Sequence, residues 1–84
     1  MELKAVFWDY PQFQDENKLR KFLQQNKQQP VYYWIMTRFL EHGRVVDTFG
    51  FFNLEEIAKH LNQLRLSEYS RQKWQRLLEV YGAA

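Results

Sequence analysis

The 84-residue chain has no cysteine. Neither a disulfide nor a thiolate metal site can therefore support its fold, and an intracellular, cytoplasmic location is the default expectation. Glycine is scarce: the three present, Gly43, Gly50 and Gly82, are isolated from one another, which excludes a glycine-rich phosphate loop. The only imidazoles, His42 and His60, do not stand in a metal-ligand spacing such as His-Glu-x-x-His. Glu56 and His60 are one helical turn apart, but that is an ordinary surface arrangement. Ser67 and Ser70 have no histidine nearby in sequence and are accounted for as helix-start residues. The expectation is a protein that is not an enzyme, with no cofactor and no metal. No apolar run approaches the roughly 18 residues of a membrane span, and Met1-Glu-Leu-Lys lacks the basic-then-apolar order of a signal peptide, so no membrane partner is expected. Charge of one sign is lacking too. A formal net charge of +2, from 12 basic and 10 acidic residues, is too weak by itself to argue for nucleic acid or a membrane surface.

Aromatic residues are abundant at 18%, and each ring can bury roughly 150–250 Å². They suit a chain of this length, which forms one domain over 1–84 and must stabilise it by packing alone. The central stretch runs from Pro30 to Gly43. On a 3.6-residue period Val31, Tyr32, Tyr33, Ile35, Met36, Phe39 and Leu40 cover more than half the circumference, leaving Thr37, Arg38 and Glu41 on a narrow polar strip beside Trp34. Such a helix must be covered on at least two sides. Pro30 suits its first position, and Gly43 is expected to close it as a left-handed cap.

The other segments are arranged around this helix. Val6 to Phe13 shows no sustained period and contains Pro11, so residues 1–14 are expected to form an extended aromatic arm. Either the arm lies across the helices with Phe7 and Trp8 inserted, or its rings form an exposed platform for a partner or stacked bases. The helical core occupies 15–82. Asp15 caps a peripheral helix over 16–25 whose apolar stripe is only Leu19, Phe22 and Leu23. Residues 44–52 fit a helix through the row Val45, Phe49, Phe52, yet Val, Thr and Phe also favour a strand; a short helix is the reading adopted. Asn53, with Glu56 three residues on, opens a helix that buries Leu54, Ile57, Ala58, Leu61 and Leu64. Ser67 caps the last helix, with Trp74, Leu77, Leu78 and Tyr81 as its buried row and Gly82 at its end. The fold class is all-α: a compact single-domain bundle of about five short helices.

The charge distribution supplies the candidate contacts. Lys18 and Lys21 follow an acidic N-terminal stretch, and Arg71, Lys73 and Arg76 outnumber the acids of the last helix. These five are the candidate partner or nucleic-acid contacts. The helix pair of residues 53–81 resembles a helix-turn-helix, making a small nucleic-acid-binding module the alternative function. Its connection is longer than three or four residues and has no glycine, and its cations are spread around the helix.

Four marks run in order along nearly the whole chain: Phe7-Trp8-Asp9; Phe39-Leu40-Glu41-His42-Gly43 with Asp47 and Phe51; Leu54-Glu55-Glu56-Ile57; and Leu66-Ser67 with Trp74 and Leu77-Leu78. In these the chain resembles a small all-helical prokaryotic domain family of unknown function associated with abortive-infection nucleotidyltransferase toxin-antitoxin loci. The resemblance implies an accessory or antitoxin-like domain with no activity of its own, working through a nucleotidyltransferase-like protein partner. It also implies that Phe7, Trp8, Gly43 and Trp74 are structural signature residues. Asp9 belongs to the same signature. Set between Trp8 and Tyr10, its carboxylate must reach water or accept from a donor such as an arginine or a helix N-terminal amide.

Overall fold

The computed structural model describes residues 3–82, so Met1 and Glu2 of the expected arm, and residues 83–84, lie outside the described part. Six α-helices follow one another: α1 (Leu3–Val6), α2 (Glu16–Gln25), α3 (Pro30–His42), α4 (Val45–Phe49), α5 (Leu54–His60) and α6 (Glu68–Val80). Single 3-10 turns at Pro11–Phe13 and Leu61–Gln63 complete them, and no strand occurs among the described residues. The five helices expected are α2 to α6, and within residues 44–52 the ambiguous stretch forms a short helix over Val45–Phe49 followed by a turn, not a strand. The sixth corrects the expectation of an extended arm. Leu3 to Val6 coil into one helical turn, which places Leu3, Val6 and Phe7 together in the core. Folding the segment inward gives a Cα radius of gyration of 12.2 Å, against roughly 12 Å for a compact chain of this length.

The central helix is covered as its composition requires. Ile35, Met36, Phe39 and Leu40 are fully buried, and α1, α4 and α6 all pack on α3. Phe39 is the hub of the aromatic core, with ring centroids 5.8 Å from Phe7, 5.0 Å from Phe51 and 5.6 Å from Phe52. These separations fall in the favourable range for tilted and edge-on rings.

Three helix starts carry local side-chain caps. Asp15 accepts from the Lys18 amide at 3.0 Å, Asn53 from the Glu56 amide at 2.7 Å and Ser67 from the Ser70 amide at 3.2 Å. Each cap satisfies an amide left without a partner in the first turn. Several helix ends receive donors from distant side chains, whereas Asn26 closes α2 locally by donating to the Phe22 carbonyl at 2.8 Å. The Trp74 indole donates to the Leu40 carbonyl at 3.0 Å, closing α3. Arg38 donates to the Val6 carbonyl at 2.7 and 3.1 Å, and Arg20 to the Gly50 carbonyl at 2.6 Å. Arg71 donates to the Leu61 and Leu64 carbonyls at 2.8 and 2.6 Å. Three guanidinium groups thus supply donors at the C-terminal ends of short helical pieces, where the backbone carries partial negative charge.

Gly43 also departs from expectation. Its φ of −86° and ψ of 158° are extended rather than left-handed. Glycine is required there by space: a Cβ would lie 2.9 Å from the Phe39 carbonyl oxygen, 3.2 Å from the Phe39 ring and 3.3 Å from the Thr48 hydroxyl.

Candidate partner-binding face

The last helix carries two apolar stripes. Ser70, Trp74 and Leu78 recur every four residues and are buried against the bundle. The N-terminus of α6 is tied to α3 through Glu41, whose carboxylate accepts from the Ser67 amide, the Ser67 hydroxyl at 3.1 Å and the Ser70 hydroxyl at 3.0 Å. Burial alone would raise the Glu41 pKa. The Ser67 amide and the two hydroxyls, aided by the charge of His42, outweigh it and hold the carboxyl below its ordinary value.

Tyr69, Gln72, Lys73, Arg76, Leu77 and Val80 form the second stripe, at offsets of three, four, seven, eight and eleven residues. This is the spacing with which one helix packs along another. With Val45 from α4 these residues line an open groove of about 530 Å³ that faces solvent. Tyr69 is 76% and Val80 74% exposed. No acidic side chain lines the groove, and Glu68 at the helix start already accepts from Gln72 at 3.0 Å. The face is therefore apolar along its length and positive at its middle.

Of the five candidate contact residues, the structure brings together only Lys73 and Arg76. Lys18 and Lys21 are exposed on α2 and do not line the groove. Arg71 is committed to the Leu61 and Leu64 carbonyls. Sequence reading missed Tyr69, Gln72 and Val80, although their periodicity was present, because the row containing Trp74 is equally regular and more apolar. Tyr81, expected in the buried row, is 57% exposed and meets Phe49 only at its edge, with centroids 5.9 Å apart.

The signature residues fall into place separately. Phe7 and Trp74 are fully buried. Trp8, expected to be inserted, is 57% exposed, with the Arg38 guanidinium 4.5 Å from its ring and His42 edge-on at 4.9 Å. Asp9 takes the arginine option, accepting from Arg38 at 2.5 Å.

A polar crevice lies elsewhere, between α2 and α5. There the Tyr32 hydroxyl donates to Glu56, and its pKa is pushed far up by burial and by that carboxylate. The site holds a phenol firmly protonated. Among the described residues no group of three His, Cys, Asp or Glu side chains is placed to hold a metal ion.

The fold and this face define a small all-helical module with one long, solvent-facing amphipathic stripe. Comparison of the chain with protein-family models, curated proteins and solved structures finds no match.

Proposed function

We propose that the domain is a non-catalytic protein-interaction module that docks its partner on the second stripe of α6. The observation that carries this reading is the exposure of Tyr69 and Val80 on the same helix face as Leu77, in the spacing of a helix-packing seam. Soluble surfaces tolerate scattered apolar residues, whereas an aligned row bordering a groove points to an interface. The four sequence marks extend the proposal to an accessory or antitoxin-like partner of a nucleotidyltransferase-like enzyme.

Co-expression with the product of the neighbouring gene, followed by size-exclusion chromatography, tests this. A stable complex that dissociates when Tyr69 and Val80 are replaced by glutamate is the expected result. The competing class is a nucleic-acid module, favoured by the placement of Lys73 and Arg76 on one face. Two cations neutralise too few phosphates for tight binding, so titration with random duplexes should give no complex tighter than about 10⁻⁶ M near physiological salt. Nanomolar, sequence-selective binding lost on Lys73→Ala/Arg76→Ala would replace the protein-docking reading with the nucleic-acid one.

A further inference from the structure

The groove on α6 discriminates among occupants by charge and by symmetry. Lys73 and Arg76 occupy its centre, with Tyr69 and Val80 toward its two ends and Leu77 and Val45 between. Lys73 is half-buried, its ammonium 6.0 Å from the Trp74 ring, so its aliphatic stem is part of the apolar floor. A second copy of this chain fits poorly. Antiparallel two-fold pairing of α6 sets residue 73 against 76 of the other copy and 69 against 80. Parallel pairing sets 73 against 73 and 76 against 76. Either way cations meet cations at the seam, and like charges in register disfavour association. A membrane surface is also a weak fit, because the apolar content is one tyrosine, one valine and two partly covered aliphatic side chains.

We propose that the occupant is an acidic amphipathic helix of a partner protein, and this rests on α6 being the docking face. The stripe from Tyr69 to Val80 rises about 16 Å, or three turns, and would receive a helix of similar length. Its apolar residues cover Tyr69, Leu77, Val80 and Val45, and its carboxylates lie over Lys73 and Arg76. The apolar contacts supply affinity, and the charge pairs set partner choice and register.

Two stapled, fluorescein-labelled helical peptides provide the test, each of about four turns with leucines at the packing positions. One carries glutamate at the flanking positions and the other lysine at the same positions. Fluorescence anisotropy with the full chain should show the glutamate peptide binding at least about ten-fold more tightly, and the preference shrinking as salt rises from about 50 to 200 mM. Lys73→Glu/Arg76→Glu should reverse the preference. These positions are on the surface, and unchanged circular dichroism would confirm that the variant is folded. Equal binding of the two peptides, or preference for the lysine peptide, overturns the acidic occupant while leaving a protein-docking face intact. If neither peptide binds, anionic phosphatidylserine vesicles and sedimentation equilibrium decide what replaces the proposal. Vesicle binding lost on Tyr69→Glu/Val80→Glu assigns the face to a membrane surface and overturns both readings. Dimerisation lost in the same variant assigns it to a second copy and overturns the acidic helix alone.

Discussion

At the scale of single residues, Arg38 links the N-terminal segment to the central helix. It donates to the Val6 carbonyl, pairs with Asp9 and lies over the Trp8 ring. The bonds differ in weight because their surroundings differ. Val6 is buried, and losing the guanidinium leaves its carbonyl without that donor, whereas the Asp9 side chain is 43% exposed and can recover water. Arg38→Ala should therefore lower stability by about 2–4 kcal/mol and Asp9→Ala by about 1 kcal/mol, measured by urea denaturation. Equal losses from the two substitutions would contradict this assignment. Sequence reasoning left Asp9 either solvated or accepting from a donor such as an arginine or a helix N-terminal amide, and the structure supplies Arg38. Sequence reasoning did not find the Val6 carbonyl, since that contact exists only once residues 3–6 have coiled into a helix.

Among the elements, the capped N-termini were legible, as was the end of α6 at Gly82, whose φ of 75° is left-handed, whereas the side-chain closures of the other C-termini were not. Asp15, Asn53 and Ser67 cap helices through an amide three residues away, so the pattern is written in neighbouring positions. Several C-terminal donors come from distant parts of the chain: Arg38 for Val6, Trp74 for Leu40 and Arg20 for Gly50. Only tertiary packing brings such pairs together. Cations that looked like surface charge are for this reason partly internal fittings. The Glu41 cap on α6 adds a pH dependence. Its folded pKa lies below its unfolded value, so its contribution is complete above the unfolded pKa and is lost as pH falls through the folded one. Glu41→Gln should cost about 1 kcal/mol at pH 7, and the difference from the parent should close as pH falls below the ordinary carboxylate range and through the lowered folded pKa. A gap that stayed constant across that range would show that the charge of Glu41 is irrelevant to the cap.

For the molecule as a whole, the N-terminal segment is part of the core. Its covering role was legible from Phe7 and Phe13, although Trp8, expected to share it, is exposed; its helical turn was not, because four residues are too few to display a period. Removing residues 1–13 takes away Leu3, Val6 and Phe7, all buried, together with the ring of Phe13, 5.3 Å from that of Phe22. At roughly 1.5–3 kcal/mol for each large side chain, the loss is comparable with the entire stability of a domain this small. The truncated chain should lose most of its helical circular dichroism at 25 °C or melt far below the parent. A melting temperature within about a degree of the parent would show that the segment is not integral to the fold.

The indole rings also occupy three distinct environments, and this gives the protein a built-in optical readout. Trp74 is sealed in the core with its N–H bonded to a carbonyl, Trp34 is half-buried among rings, and Trp8 is open to solvent. Acrylamide should quench the native emission in stages, first Trp8 and last Trp74. A Trp8→Phe/Trp34→Phe variant would leave a single emitter on the inner face of α6, opposite the groove. Its emission would then report whether α6 stays seated when the outer face is occupied.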